Sequence, residues 1–279
     1  MRRLTLLMML GLALVAGGCD ILKLSLLPNR EARGSSQSPA ALPSKYSQRV
    51  SQFVFISDFE VKVDQPPFRE LAALRDQVVQ ELHLPAPGSH VLINVYLFPD
   101  RDRYEQFMKA KYPDLPRRRA FFVAQPRSVS SGDDLLVYTF WGDHIRQDLR
   151  HELTHALLHS VLKDVPLWLD EGLAEYFENP AEAKGVNRQH LQVLQQEGFK
   201  PDMARLEQLS QVSQMNPGEY REAWAWVHFM LRGNPDSRKV LLAYIQQLKS
   251  TSSPGPLQPK LKAKLPDLNE ALLTHLTQI

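Results

Sequence analysis

Cysteine is nearly absent from this chain, which has 279 residues and a single cysteine, Cys19. No intramolecular disulfide can therefore form. An excess of one charge is missing too, because 33 basic and 31 acidic residues leave a formal net charge of +2. This balance gives no reason to expect a nucleic-acid partner. No internal repeat is visible, and a hydrophobic content of 43% supports a packed globular core of one sizeable domain or two small ones.

The N-terminal apolar run is too short to span a bilayer. It covers residues 4–16, follows two arginines and ends in small residues before Cys19. A spanning helix needs about 20 apolar residues, and Asp20 and Lys23 interrupt an extension through residues 21–27. An uncleaved anchor is the alternative, but basic residues, an apolar run and small residues in this order are typical of an export signal.

The end of this signal, Ala-Gly-Gly-Cys at residues 16–19, resembles the lipoprotein box of bacteria. In such proteins the cysteine is lipidated and becomes the mature N-terminus, so the resemblance implies lipidation of Cys19. We expect residues 1–19 to be a lipoprotein signal peptide. The mature protein is then exported and anchored to the bacterial cell membrane through its lipid, on the periplasmic or outer face.

A flexible tether is predicted to follow the anchor over residues 20–48. From residue 28 onward this segment is rich in proline, serine, glycine and charge, and it has too few apolar residues to offset the entropy cost of ordering. Residues 49–250 carry periodic apolar patterns and are expected to form the folded domain. Residues 251–279 contain a second linker and a short terminal helix, and the sequence leaves open whether that helix docks on the domain.

The residues that carry chemistry begin with H-E-x-x-H, formed by His151, Glu152 and His155. On a helix, residues four apart differ by about 40° around the axis, so both imidazoles project from one face. Two neutral imidazoles at this spacing can bind one Zn²⁺ ion at about 2.0–2.1 Å. Glu152 lies on the same side but cannot easily reach the ion, which suits a base that acts on water. A catalytic zinc site also needs a third protein ligand and an open position.

The string W-L-D-E-G-L-A-E-Y at residues 168–176 offers candidates for that third ligand. Together with H-E-x-x-H it resembles the gluzincins, the superfamily of thermolysin-like and aminopeptidase-like zinc metallopeptidases. The resemblance implies that Glu171 is the third ligand of one bound Zn²⁺ and that Glu175 supports a ligating histidine. It also implies that Glu152 takes a proton from the attacking water and passes it to the leaving amine.

A purely structural role is the competing interpretation of these residues. H-E-x-x-H could belong to an ordinary amphipathic helix whose histidines lie in the core. Glu152 and Glu171 would then lie beside apolar surface without an evident cationic partner, which is costly. His159 continues the histidine row, but it follows His155 by four residues, whereas the metzincin pattern has six. We therefore interpret His159 as a supporting or structural residue and not as a ligand.

Strand and helix patterns alternate before the motif, and helical patterns follow it. β-Branched and aromatic residues predict the strands, and apolar residues three and four apart predict the helices. This order fits an α+β fold of thermolysin or gluzincin type, with a small mixed β-sheet lobe, active-site helices and a helical C-terminal lobe. By the same resemblance, residues 135–141 would be the edge strand along which a peptide lies. The predicted strands are 53–63, 91–98, 120–124 and 135–141, and the predicted helices are 68–82, 101–111, 187–198, 203–212, 219–232, 237–249 and 268–276.

A donor to the developing oxyanion is the last expected part of the site. Gluzincins use a tyrosine or histidine of the helical lobe for this purpose. Tyr220 precedes a strongly apolar helical stretch, from which its hydroxyl could reach the cleft, and we predict it as the catalytic donor. His228, deeper in that stretch, and His144, just ahead of the motif, remain alternatives.

The functional hypothesis is a membrane-tethered zinc metallopeptidase whose partner is a peptide or protein substrate. Aminopeptidase-like gluzincins carry a G-x-M-E-N-type string that binds the free amine of the substrate, and residues 91–150 contain none. This favours an endopeptidase. The rival hypothesis is a non-catalytic lipoprotein that keeps the fold, with or without the zinc, as a binding or scaffolding module. The intact Glu152 argues against this rival, since a site without catalysis has no need of the base.

Overall fold

The computed structural model describes residues 41–88, 91–126, 133–162, 164–196, 198–251 and 254–279. The predicted signal peptide, the lipidation at Cys19 and the tether as far as residue 40 lie outside the described residues. Within the described part of the chain, no helix combines the length and the apolar character that crossing a membrane requires.

A five-stranded mixed sheet forms the first half of the fold, in the order β1-β2-β3-β5-β4. β1 is antiparallel to β2, β2 and β3 are parallel, β3 and β5 are parallel, and β4 is antiparallel to β5. The strands are β1 (Tyr46–Val50), β2 (Phe53–Ser57), β3 (Ile93–Phe98), β4 (Ala120–Pro126) and β5 (Asp133–Phe140).

The strand order corrects one expectation. Residues 135–141 were expected to form the sheet edge, but β5 lies between β3 and β4, and β4 is the edge strand. Residue composition predicted that these strands exist, whereas their order depends on pairing between distant segments, which local patterns do not encode. In addition, β1 begins at Tyr46 and pairs with β2, so the end of the predicted tether is part of the sheet.

Helices cover both faces of the sheet. Successive strand residues point to opposite faces, and this alternation divides the core into two clusters of buried side chains. The smaller cluster packs beneath helix α2 (Arg101–Lys111) and contains Tyr104, Phe121 and Tyr138. The larger cluster lies on the other face and receives helix α1 (Pro66–Glu81). The sheet is therefore fixed on both sides.

Helices make up the rest of the described chain. β5 leads into α3 (Ile145–His159), which packs against β4, β5 and α1. A short loop then reverses the chain into α4 (Leu167–Phe177). The remaining helices are α5 (Arg188–Gln196), α6 (Met203–Leu206), α7 (Pro217–His228), which continues into a π-helical turn over Phe229–Gly233, α8 (Pro235–Leu248), α9 (Gln258–Lys262) and α10 (Leu268–Gln278).

Helix α7 is fixed by its own first turn and by a close contact with α4. Asn216 and Glu219 form a capping box, and Pro217 occupies the first helical position, which satisfies the free N–H groups there. α4 crosses α7 at Gly172, where an added Cβ would lie 2.6 Å from the carbonyl oxygen of Ala223. Glycine is therefore required for this helix–helix distance.

The terminal helix docks on the domain, which the sequence left open. Leu257, Leu261, Leu268, Leu272 and Leu276 are buried in the same cluster as the sheet and α3. The packed unit therefore extends beyond the predicted boundary at residue 250. The architecture is α+β, with a mixed sheet followed by helices.

Candidate metal centre

Helix α3 brings the two histidines of the motif together. His151 and His155 are one turn apart, and their ring centroids are separated by 5.0 Å. Leu149, Leu153 and Leu157 on the opposite side of α3 are buried in the core, so packing sets the rotation of the helix. The imidazoles consequently face α4.

The three expected ligand atoms form a compact triangle. Oε2 of Glu171 lies 3.5 Å from Nε2 of His151 and 3.6 Å from Nε2 of His155. Ligand atoms at 2.0–2.1 Å from a tetrahedral zinc ion are separated by about 3.3–3.4 Å, so the triangle is close to the size that zinc requires. Two imidazole nitrogens and one carboxylate oxygen are also a ligand set of catalytic zinc sites.

The carboxylate oxygen at the third corner is ion-paired with both imidazoles but forms no hydrogen bond within the described part of the chain. Oε2 of Glu171 is buried and has no hydrogen-bond partner among the described residues, although buried polar atoms almost always have one. An ion at the centre of the triangle would satisfy this atom. The residues present therefore fit a divalent metal such as zinc.

Buried carboxylates orient both imidazoles from behind. Oδ2 of Asp170 lies 2.9 Å from Nδ1 of His155, and Oε2 of Glu178 lies 3.3 Å from Nδ1 of His151. Each carboxylate favours the tautomer that carries its proton on Nδ1, which leaves Nε2 free to bind a metal. Asp170 also accepts from Nε2 of His159 at 3.3 Å, which places His159 in a supporting position, as expected.

The expected role of Glu175 is not what the geometry shows. Its Oε2 bonds to Nε2 of His190 on α5 at 2.8 Å, whereas Asp170 and Glu178 contact the histidine pair. The sequence argument relied on the one-turn spacing from Glu171, but it could not anticipate that α5 would place an imidazole beside Glu175. His151, Glu175 and Glu178 also lie close enough together to hold an ion.

That second group is already satisfied without an ion. Glu178 accepts hydrogen bonds from the amides of Gln147 at 2.9 Å and Asn187 at 3.2 Å, and Glu175 is paired with His190. Of the two groups, the triangle is the one whose carboxylate has a buried oxygen without a hydrogen bond among the described residues. We therefore assign the candidate metal centre to the triangle.

Charge pairing holds the three side chains of the triangle together. Burial alone would lower the pKa of His155, but Asp170 and Glu171 raise that pKa to about 10. Burial has the same lowering tendency on His151, and Glu171 and Glu178 raise its pKa well above the ordinary value. Burial would raise the pKa of Glu171, but the two histidines lower it to about 2. Protons on the imidazoles therefore stand in for the metal charge.

Glu152 lies on the wall of the cleft and belongs to neither group of candidate metal ligands among the described residues. Burial raises the pKa of its carboxyl, while His151 and His155 act to lower it. A carboxylate with a raised pKa beside a metal centre is suited to accept a proton at neutral pH.

An open cleft of about 430 Å³ gives access to the centre, and Tyr220 lines it. Its hydroxyl accepts a hydrogen bond from Arg118, and burial raises its pKa, so the phenol keeps its proton and can donate it. His144 is exposed, and His228 is buried against Nε2 of His275 at 2.8 Å. Of the three sequence candidates, only Tyr220 reaches the cleft.

The edge strand β4 runs beside the metal helix. The ring of Phe122 stacks on His159 at 5.5 Å and lies over His155 at 6.3 Å. Ala120, the first residue of β4, lines the cleft. The start of the edge strand therefore reaches the candidate metal centre.

Several residues of the site were not found from the sequence. Asp170 lies on the helix that carries Glu171, directly before the predicted ligand, and Glu178 caps the end of that helix. Arg118 lies in an arginine run, which ordinarily indicates a solvated surface, and His190 had no motif around it. Both reach the site through contacts that span long stretches of sequence.

Comparison with known proteins finds a family model and solved structures that are similar to this chain. The model of a family described as "Protein of unknown function (DUF1570)" matches residues 147–257, and no curated protein matches. The crystal structure of an M1 zinc metallopeptidase from Deinococcus radiodurans is similar at 14% identity and a TM-score of 0.45. The match covers 85% of this chain and 51% of that chain, so this chain spans about half the length of that peptidase. Because the TM-score is below 0.5, this similarity does not establish a shared fold.

Proposed function

We propose that this protein is a zinc-dependent metallopeptidase of gluzincin type, with a thermolysin-like arrangement of sheet, metal helices and helical lobe. The observation that carries the proposal is the triangle of His151, His155 and Glu171. Its carboxylate oxygen is buried, faces both imidazoles and forms no hydrogen bond with the described residues. Two imidazole nitrogens and a buried carboxylate oxygen at ligand spacing are a set that a scaffold without a metal does not require. The further presence of Glu152 on the cleft wall distinguishes a hydrolytic site from a storage site.

The chemistry follows from the positions of the side chains. A zinc ion held by the triangle would polarise a substrate carbonyl and activate water for attack. Glu152 accepts the proton of the attacking water and then delivers it to the amine that leaves. The hydroxyl of Tyr220 donates a hydrogen bond to the carbonyl oxygen as negative charge develops there.

An extended peptide is the substrate class that the cleft supports best. β4 is the edge strand of the described sheet, and Ala120 at its start lines the cleft. Added strands bind such edges through main-chain hydrogen bonds, and the alternating side chains provide specificity. The missing G-x-M-E-N string in residues 91–150 favours internal bonds of the peptide, and thus an endopeptidase.

A lipid anchor at the N-terminus is the second part of the proposal. It is supported by the export signal, the Ala-Gly-Gly-Cys box and the near absence of apolar residues from 28 to 40. The protein would then act on peptides near the surface of the bacterial cell membrane, without a nucleic-acid partner. Cys19→Ser should remove the lipid and release or mislocalise the protein, measured by metabolic labelling with a palmitate analogue. A variant that labels and fractionates like the wild type would contradict the anchor.

The proposed activity is tested by incubating residues 41–279 with a peptide library before and after zinc removal. Wild-type protein should cleave, lose activity to a chelator and recover it when zinc is added back. Glu152→Gln should retain zinc and lose cleavage. The control Glu60→Gln changes an exposed residue that does not line the cleft, and it should behave as the wild type. Zinc binding without cleavage in the wild type would favour a zinc-binding scaffold, and absence of zinc would favour a metal-free scaffold.

A further inference from the structure

Arg118 occupies a position over the candidate metal centre that the proposed mechanism leaves unused. It lies two residues before the edge strand β4. Its neighbour Arg119 is bound to Asp148 in the first turn of α3, with contacts of 2.7, 3.0 and 3.2 Å. This bidentate pair holds the chain against the metal helix, so the side chain of Arg118 reaches into the cleft.

The contacts of Arg118 connect the sheet to the helical half of the site. Its guanidinium donates to the hydroxyl of Tyr220 and lies 5.5 Å from the centre of the Tyr220 ring. Nη1 is 3.9 Å from Oε1 of Glu171, the oxygen that does not belong to the triangle. The group therefore lies beside a predicted ligand and beside the predicted oxyanion donor.

Most of the donors of this guanidinium are uncommitted. An arginine has five N–H donors, and the bond to Tyr220 is the only hydrogen bond of Arg118 with the described residues. The side chain is 29% exposed and lines the cleft. A substrate that enters the cleft would meet free N–H groups.

The positive charge is retained in this position. Burial would lower the pKa of Arg118, but Tyr220 and Glu171 raise it above its ordinary value. A partly buried cation with unused donors is costly for stability, and such groups concentrate at functional sites. The same cation is well placed to stabilise negative charge that appears only during the reaction.

We propose that Arg118 is a second donor to the oxyanion and contacts the carbonyl oxygen of the scissile bond directly, beside Tyr220. The inference rests on the proposed peptidase function and adds a residue to it. Arg118 keeps all its protons throughout, because water supplies the proton that Glu152 transfers to the amine. The guanidinium contributes charge and hydrogen bonds, which strengthen as the oxygen becomes negative.

Two simpler roles compete with this one and predict different results. If Arg118 only holds the hydroxyl of Tyr220, its removal should have no effect in a protein that already lacks that hydroxyl. If Arg118 only pairs with Glu171, its removal should lower zinc content or stability instead of the rate. A double-mutant cycle separates direct from indirect action.

The experiment compares Arg118→Met, Arg118→Lys, Tyr220→Phe and the double variant Arg118→Met/Tyr220→Phe. Arg117→Met is the matched control, since Arg117 is the preceding arginine and does not line the cleft. Zinc content, melting temperature, kcat and KM are measured with a peptide that the wild type cleaves. The affinity of each zinc-loaded variant for a phosphinic peptide of the same sequence, a tetrahedral anion, is measured by calorimetry.

The expected result is a loss of about 10²–10³-fold in kcat for Arg118→Met, with KM within about threefold. Phosphinate affinity should fall by a similar factor, zinc content and melting temperature should stay at the wild-type level, and Arg118→Lys should recover part of both losses. The double variant should be slower than Tyr220→Phe alone. Wild-type kcat in Arg118→Met, or a double variant equal to Tyr220→Phe, would overturn the inference while the peptidase proposal stands. A wild type that neither binds zinc nor cleaves would overturn both.

Discussion

Asp170 accepts a hydrogen bond from Nδ1 of His155 at 2.9 Å, and the same oxygen is 3.3 Å from Nε2 of His159. One buried carboxylate therefore orients a predicted zinc ligand and is itself held by a second imidazole. Its charge is maintained, because the two histidines lower the pKa of Asp170 against the opposing effect of burial. The carboxylate that orients His155 is therefore Asp170, directly before Glu171, and not Glu175, one turn after it.

Replacement of Asp170 should weaken zinc binding more than replacement of Glu175. Asp170→Asn keeps the size of the side chain but removes the charge that orients His155, and loss of such a partner typically lowers metal affinity 10–100-fold. Glu175→Gln should change zinc affinity little, because the bond of Glu175 goes to His190. Competition with a chromophoric chelator measures both affinities. A larger loss for Glu175→Gln would restore the role that the sequence suggested.

Zinc binding should release protons and should weaken as the pH falls. In the metal-free protein, carboxylates raise the pKa of His155 to about 10 and raise that of His151 as well, so both imidazoles are protonated at pH 7. Zinc requires neutral imidazoles, and we expect about two protons to be released per ion. Calorimetric titration in two buffers of different ionisation enthalpy measures this number. Release of no proton would contradict the charges described here.

The same shifts predict how the stability of the metal-free protein depends on pH. A histidine whose pKa is higher in the folded state than in the unfolded chain stabilises the fold fully below the unfolded pKa of about 6.5. This contribution is lost as the pH rises through about 10, the folded value for His155. Zinc should remove the dependence, because bound imidazoles no longer titrate.

Tyr220→Phe should lower kcat by about 10²–10³ with KM nearly unchanged, because one donor to the transition state is lost. The ring remains, so zinc content and melting temperature should stay at the wild-type level. The matched control is His144→Gln, since His144 is exposed and does not line the cleft. Steady-state kinetics on a cleaved peptide measures the change. A normal kcat in Tyr220→Phe would exclude the hydroxyl from catalysis.

Gly172→Ala should destabilise the fold where the two helices cross. The new Cβ would lie 2.6 Å from the carbonyl oxygen of Ala223, which is backbone and cannot rotate away. Overpacking of this kind costs about 1–3 kcal/mol, and Gly172→Val should cost more. Urea unfolding of the metal-free protein measures both free energies. Equal stability of Gly172→Ala and the wild type would show that α4 and α7 tolerate a wider separation.

Local patterns were sufficient to predict most of the elements near the site. The helical spacing of His151 and His155 placed both imidazoles on one face, and the structure brings Glu171 opposite them. The helix over residues 101–111 has the predicted bounds, and an Asp100 cap explains its start. Such features depend on neighbours within one or two turns, which the sequence displays directly.

Features that depend on distant pairing were not predictable in this way. β5 pairs with β3 on one side and with β4 on the other, so β4 is the edge strand. No residue pattern within β5 predicts its pairing with β3. Arg118 contacts Tyr220 across 102 positions of sequence, and no local pattern predicts that contact. The docking of α10 likewise depends on a core to which it contributes only a few leucines.

Zinc content per chain, measured by mass spectrometry on wild-type protein and two glutamate variants, tests the central claim most directly. The wild type and Glu152→Gln should each bind about one zinc ion, whereas Glu171→Gln should lose most of it, since only Glu171 supplies a ligand. Circular dichroism on the same samples establishes that all three are folded. Equal zinc content in the wild type and both variants, or equal loss of zinc in both variants, would contradict the assignment of Glu171 as ligand and Glu152 as base.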